Sequence, residues 1–276
     1  MSLDKETEKI LKQMEKRGFT AKEVNKFIDA MERRQSTQRK AYTLGNINAK
    51  FGIFGDTHMG NIQFDQKLFD YMIKTFDKEN VDYVLCTGDI VDGWYQNRPS
   101  SIFEQNAIGF DAQFKLAEKN LKKIEQPLYF ITGNHSYNTF VRGAGVEIGN
   151  YLEDKLENST WLGNGEGDII LGGQKIKLLH PDGGTAYAIS YRPQKIVESL
   201  GGGEKPNMLL IGHYHKAEYI FYRNVHTIQT GTLMGQTKFM RGKSIPAHKG
   251  FWIVDVQGKK NGQIDRISPS LYPAYD

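Results

Sequence analysis

Cysteine occurs once in the 276 residues, as Cys86 inside an apolar run. No disulfide can form within the chain, and the thiol reads as buried and inert, which leads us to expect a reducing, cytoplasmic setting. Long hydrophobic runs are also missing. No stretch approaches the ~20 apolar residues that span a bilayer. The N-terminus is charged where a signal peptide needs an apolar centre, so a soluble protein with no membrane partner is expected. Charge of one sign is scarce too, with a net value of +4. The first forty residues hold 11 Lys and Arg against 7 Asp and Glu, and the remainder balances at 25 of each. That small basic surplus hints at contact with a polyanion, although a charge-rich helix of this kind is more often simply solvated. Internal repeats and low-complexity tracts are lacking.

What is present is a repeated arrangement of short apolar runs that stop at metal-ligand residue types. Phe51-Gly-Ile-Phe54 leads to Gly55-Asp56-Thr-His58, and Val84-Leu-Cys-Thr87 to Gly88-Asp89. Leu128–Thr132 leads to Gly133-Asn134-His135, Ile176–Leu179 to His180, and Met208–Ile211 to Gly212-His213-Tyr-His215. Buried strands read as such runs, and in open α/β sheets ligands bind at strand carboxyl ends. Five of the seven histidines sit at these ends. His226 and His248 belong to no motif and read as structural.

Residues 1–34 read as two short helices separated by Gly18, with Thr20-Ala-Lys-Glu23 as a capping box. Such a hairpin resembles part of a helix-turn-helix, but two helices lack the third of a free-standing DNA-reading unit, and a pair of helices docked on a larger domain is the favoured reading. A polar linker over 35–49 follows, so the expected organisation is a helical hairpin and linker over 1–40 and one large domain over 41–276. From Lys50 the pattern is strand, loop, helix, with apolar helical faces at Leu68, Met72, Ile73 and Phe76, and from Phe110 to Ile124 ending at Pro127. A helix over about Val141–Leu156, a hairpin at Gly172-Gly173, a helix through Ile196-Val197, and short strands joined by turns in the final third complete the reading.

The motifs Gly55-Asp-Thr-His58, Gly88-Asp-Ile-Val-Asp92-Gly93, Gly133-Asn-His135, His180 and Gly212-His-Tyr-His215 together resemble the calcineurin-like metallophosphoesterase superfamily. The resemblance covers roughly residues 50 to 256 and implies an α/β fold, a four-layer α/β/β/α sandwich. It also implies that Asp56, His58 and His215 hold one ion, that Asn134, His180 and His213 hold a second, and that Asp89 bridges them. His135 would then stabilise charge or protonate the leaving group, with Asp92 orienting it. Mixed carboxylate and imidazole donors suit transition metals, Mn foremost and Fe, Zn or Ni as alternatives. Two ions ~3.5–4 Å apart polarise phosphoryl oxygens and acidify a water for in-line attack. Ser136 stands where much of the family has an acid.

The first two motifs look most like the repair-exonuclease branch and the small subunit of D-family DNA polymerase. The expected function is therefore phosphodiester hydrolysis, with DNA as the polymer. The alternatives are a phosphomonoesterase and a non-catalytic nucleic-acid-binding subunit, with a protein partner or a second copy left open. Loops carrying Trp94, Tyr95 and Arg98, Tyr137 and Arg142, and Lys238 and Arg241 mix aromatic and basic residues, as an open nucleic-acid groove would.

Overall fold

The computed structural model describes Gly18, Thr20 and residues 41–95, 99–201 and 203–275. The chain divides into two units, Met1–Arg39 and Lys40–Asp276. The expected helical hairpin lies outside the described residues, and every element named below belongs to the second unit.

Two six-stranded sheets form its centre. In one, β2 (Ala49–Phe54), β3 (Tyr83–Cys86), β4 (Leu128–Thr132) and β5 (Ser159–Asn164) run parallel. The antiparallel β11 (Gly250–Gly258) and β12 (Ile264–Pro273) complete that sheet in the order β12-β11-β2-β3-β4-β5. The other has the order β1-β6-β7-β8-β10-β9, built from Tyr42–Leu44, Glu166–Leu171, Gln174–Leu179, Met208–Ile211, Val225–Thr230 and Ala217–Tyr222.

Alternation along the strands assigns each side chain to a layer. Phe51, Ile53, Leu85, Tyr129 and Ile131 face the second sheet, where Ile169, Ile176, Leu178, Met208 and Leu210 meet them. Their neighbours Phe54, Val84, Cys86, Leu128 and Phe130 face outward onto helices α1 (Gln66–Lys78), α2 (Gly109–Leu121) and α3 (Ile148–Lys155). On the far side, Leu209, Ile211 and Val225 are covered by Val197 of helix α4 (Tyr191–Ser199). Strands buried on both faces need continuous apolar sequence, and this is why the runs read so plainly. The result is the four-layer α/β/β/α sandwich. Cys86 is buried and free, and burial pushes its thiol up, away from reactivity.

Local rules fix the helix ends. The Asp65 side chain caps α1 by accepting from the Leu68 backbone N–H at 3.0 Å, worth about 1 kcal/mol. The Gly172-Gly173 turn joins β6 to β7 as expected, with φ of 53° and 89°. Four expectations change. The helix expected over 141–156 is two pieces, because Gly145 at φ 66° ends the run Asn134–Ala144 before α3 begins at Ile148. Helix α2 stops at Leu121, short of Pro127. The final third is not only short strands, since β11 has nine residues and β12 ten, and a short helix α5 (Lys238–Gly242) lies between β10 and β11. Strand β1 lies inside the stretch read as linker.

Gly52 supports the outer layer by having no side chain. A Cβ there would lie 2.7 Å from the buried Phe76 ring of α1. We predict that Gly52→Ala destabilises the domain by about 1–3 kcal/mol in denaturant titration. Phe76→Leu in the same chain should restore part of that loss, and a fully additive loss would show that the contact is not the cause.

Candidate metal centre

The loops following β2, β3, β4, β7 and β8 all end over one edge of the paired sheets, and they carry Asp56 and His58, Asp89 and Asp92, Asn134 and His135, His180, and His213 and His215. Five of these residues lie in the left-handed region, Asp56 (φ 51°), His58 (48°), Asp89 (45°), His213 (75°) and His215 (53°). They are more than half of the nine non-glycine residues with positive φ among the described residues. Each such backbone costs of order 1–3 kcal/mol and persists only where its surroundings impose it. Here the imposition is a lacing of backbone bonds. Asp56 N–H donates to the Gly88 carbonyl at 3.0 Å, and His58 N–H to that of Asp89 at 2.9 Å. His213 N–H donates to both Asp56 carboxylate oxygens at 3.0 Å.

The glycines before these residues are not all turn formers. Gly88 has φ 101°, whereas Gly212 has ordinary backbone and is small for another reason. A Cβ on Gly212 would lie 2.7 Å from the Thr87 carbonyl and 2.9 Å from His180 Nδ1, so a side chain there would push the imidazole out of place.

Two groups of ligand atoms result. In the first, His58 Nε2 and His215 Nε2 are 3.0 Å apart, with Asp56 Oδ1 3.8 Å from the former and 3.3 Å from the latter. In the second, His180 Nε2 is 3.0 Å from both Asp89 Oδ2 and Asn134 Oδ1, and His213 completes the group. His180 Nδ1 faces the Thr87 carbonyl at 2.8 Å, which fixes a proton there and leaves Nε2 as the free donor atom. His213 is turned the other way. Its Nε2 meets the Gly183 carbonyl at 2.7 Å, leaving Nδ1 for the group. Asn134 Nδ2 donates to the Tyr95 hydroxyl at 2.9 Å, and this sets the amide so that its oxygen points inward. The arrangement fits divalent ions, because electron-rich atoms converge where a hydrogen bond between two imidazoles would need one to carry a proton. The all-nitrogen-and-oxygen donor set, with no sulfur, suits borderline transition metals.

His135 and Asp92 form a third group with His58. The Asp92 carboxylate is nearer to His58 Nδ1, at 3.3 Å, than to His135 Nδ1, at 3.6 Å. His135 Nδ1 instead sits 2.6 Å from the backbone carbonyl of Asp92. Asp92 thus orients His135 mainly through its main chain, and its carboxylate backs His58. Asn61 Nδ2 holds that carboxylate at 3.1 Å and Gln105 Nε2 at 3.2 Å. Neither residue stood out in the sequence as a site residue, although Asn61 follows closely after the first motif.

Electrostatics follow from crowding. Burial alone would raise the carboxyls of Asp56 and Asp89, yet the surrounding histidines hold both well below the usual range. Burial opposes charge on His58 and His180 as well. Asp56 and Asp92 nevertheless push His58 up to about 10, and Asp89 pushes His180 up to about 9. For His135 burial wins, and the ring is held down to about 4. His213 is lowered by burial and by its neighbour His180.

The Calcineurin-like phosphoesterase family model matches residues 49–224. The chain belongs to this family. No curated protein matches it. Among solved structures, an archaeal phosphodiesterase is 16% identical with a TM-score of 0.48, over 81% of this chain and 99% of that one. The phosphoesterase YfcE of E. coli is 12% identical with a TM-score of 0.44, over 79% and 98%. Vacuolar protein sorting 29 from Cryptosporidium parvum is 14% identical with a TM-score of 0.45, over 83% and 100%. At this distance these likenesses add nothing to the family match.

A cavity of about 300 Å³ opens beside the phosphoesterase motifs, and its lining includes His58, His135 and His215 together with Met234, Met240 and Ile245. Trp94 and Tyr95 are among the residues that line it. Tyr95 is engaged in orienting Asn134, so its hydroxyl does more than face a substrate. Four other predicted substrate residues do not line this cavity. Tyr137 and Arg142 lie on the helical run after His135, where Arg142 reaches Asn138 at 3.4 Å. Lys238 and Arg241 border a neighbouring groove instead. Arg98 lies outside the described residues. His226 bonds Tyr219 at 2.9 Å and His248 accepts from the Ala217 N–H at 3.2 Å, so both are structural as expected. Ser136 is buried and donates to the Gly133 carbonyl at 3.1 Å, which turns the departure from the family pattern into a loop support.

These shifts have a sign. His58 and His180 are raised in the folded chain, so their stabilisation of the metal-free protein is fully present below about pH 6.5 and is lost as pH rises through about 9 and about 10. We predict that the melting temperature of metal-free protein falls across this window. Divalent ions taking the same nitrogens should release protons near neutral pH and flatten the decline. Equal slopes with and without metal, and no proton release on titration, would contradict this assignment.

Proposed function

We propose that this phosphoesterase hydrolyses phosphodiesters with two divalent ions, and that its polymer substrate is DNA. Asp56, His58 and His215 would hold one ion and Asn134, His180 and His213 the other, with Asp89 between them. Bound ions supply Lewis acidity to the phosphoryl oxygens and acidify water for in-line attack. Mn is the first candidate, with Fe, Zn or Ni able to use the same donors. The single buried thiol fits a reducing, cytoplasmic setting.

The observation that carries the diester reading is the cavity wall. No Lys or Arg lines it among the described residues, and the apolar Met234, Met240 and Ile245 do. A monoester brings a second negative charge, which a basic, enclosed pocket would stabilise. A diester brings a second substituent, which an apolar wall accommodates.

The chain's own proton chemistry centres on His135. Its Nδ1–H donates to the Asp92 carbonyl, which leaves Nε2 toward the cavity it lines. Burial keeps this ring neutral in the free protein. An anionic phosphoryl group beside it opposes that effect and favours the protonated ring, so His135 would gain its proton with substrate bound and pass it to the departing oxygen. Asn61 and Gln105 contribute by fixing Asp92, and thereby both His58 and His135.

Steady-state kinetics on a small diester chromogen, a small monoester chromogen and DNA test this reading, with metal content measured alongside. Diester and DNA cleavage should exceed monoester hydrolysis. A clear preference for the monoester, with DNA intact under every metal tried, would replace it with a phosphomonoesterase. We further predict that His135→Ala loses on the order of 10²–10⁴-fold in kcat while keeping its metal. The defect should shrink for a substrate with a good leaving group. Metal lost in proportion to activity would make His135 a ligand or a support.

A further inference from the structure

Next to the active-site cavity, and sharing Ser101, Glu104 and Phe239 with it, lies a second groove. Its walls carry three large apolar side chains turned to solvent, Phe103 (85% exposed), Ile62 (53%) and Phe239 (45%). Two cations, Lys238 and Arg241, stand on the same groove, and neither makes an ion pair among the described residues. The packing gives no reason for the exposure of Phe103 or for the two unpaired cations. Phe103 belongs to the two-turn 3₁₀ segment Pro99–Glu104 and packs on nothing that hides it. On α5 the capping residue Thr237 and Met240 are buried, so the helix is anchored while Lys238, Phe239 and Arg241 remain outside.

We propose that this groove is a track for single-stranded nucleic acid leading out of the active site, with Phe103 and Phe239 stacking bases and Lys238 and Arg241 meeting phosphates. The inference rests on the phosphodiesterase reading for its chemistry and adds to it the form of the polymer and where it runs. Aromatic faces alternating with unpaired cations bind single strands without regard to sequence, since every base has a face to stack and every phosphate a charge. In a duplex the faces are hidden within the base stack, so exposed phenyl rings have nothing to stack on. A purely apolar occupant, such as a second copy of the chain, would leave Lys238 and Arg241 to be desolvated with no partner, at a cost. The polyanion supplies partners for both. The division of labour also explains why no Lys or Arg lines the active-site cavity among the described residues: the cations stand where flanking phosphates would pass, beyond the ester that reacts.

The test is fluorescence anisotropy of the full chain with a labelled oligothymidylate and with a duplex of equal length, in EDTA so that nothing is cleaved, across a series of salt concentrations. Kinetics on the small diester chromogen are run beside it. The single strand should bind more tightly than the duplex. Phe103→Ala should weaken single-strand binding by about 5- to 150-fold, the range for one lost stacking platform. Phe103 is so exposed that its loss cannot unfold the protein. Lys238→Ala with Arg241→Ala should reduce the slope of log affinity on log salt by about 1.4, or about 0.7 per cation. Binding that leaves Phe103→Ala and the double variant unchanged would overturn the track, as would preference for the duplex. So would a wild-type dimer in sedimentation that Phe103→Arg dissolves with no effect on oligonucleotide binding, because the patch would then be an interface between copies. If the chain hydrolyses the small diester but does not bind the oligonucleotide, the track fails and the phosphodiesterase reading stands. Oligonucleotide binding that responds to the variants, with no hydrolysis of any diester, would leave the track standing and remove the phosphodiesterase reading.

Discussion

The structure depends on one constraint: three carboxylates and five imidazoles are gathered in a mostly buried space, and that collection cannot be left without positive charge. Moving an ionised carboxylate out of water costs several kcal/mol even after relaxation. In the metal-free chain, protons on His58 and His180 offset part of the charge of Asp56, Asp89 and Asp92. Divalent ions can replace those protons, since they meet the same nitrogens with more charge in less space. The strained backbone at Asp56, His58, Asp89, His213 and His215 is the geometric side of this constraint. Side chains from five strand ends reach one point only if the chain turns sharply as each strand stops.

Asp92 shows how one residue serves two parts of the centre. Its carboxylate sits behind His58, and its carbonyl sits behind His135. Asn61 and Gln105 fix it from the other side, and Gln113, fully buried, binds both the N–H and the carbonyl of the adjacent Gly93. The imidazoles of His58 and His135 are therefore both positioned by one short loop. A displacement of that loop would disturb both together.

Much of this was legible in the sequence, for physical reasons. Parallel strands buried on both faces must be apolar throughout, so β2, β3, β4 and β8 announce themselves, and the ligand residues stand out where those runs stop. The edge strands were not legible. Strand β12 alternates between half-buried and exposed positions, and β1 is three residues in a polar stretch, so neither offers an apolar pattern. Side-chain direction was not legible either. Nothing local distinguishes the Asp92 carboxylate from its carbonyl as the partner of His135, nor says that Lys238 and Arg241 border an adjoining groove. Those facts come from long-range packing. The motif glycines were legible as a pattern but not in cause, since Gly212 is set by the approach of His180 and not by its own backbone.

The family fold supplies the platform, and what surrounds it gives this chain its character: a partly apolar cavity beside the motif residues, with no Lys or Arg in its lining among the described residues, and two cations on the next groove. All of it presumes that the two ligand groups hold two ions with Asp89 between them. The most direct measurement is anomalous diffraction at the Mn absorption edge from crystals grown with saturating Mn. The account predicts two peaks, one against Asp56, His58 and His215 and one against Asn134, His180 and His213, with Asp89 touching both. A single fully occupied ion, or ions bound away from Asp89, would contradict it.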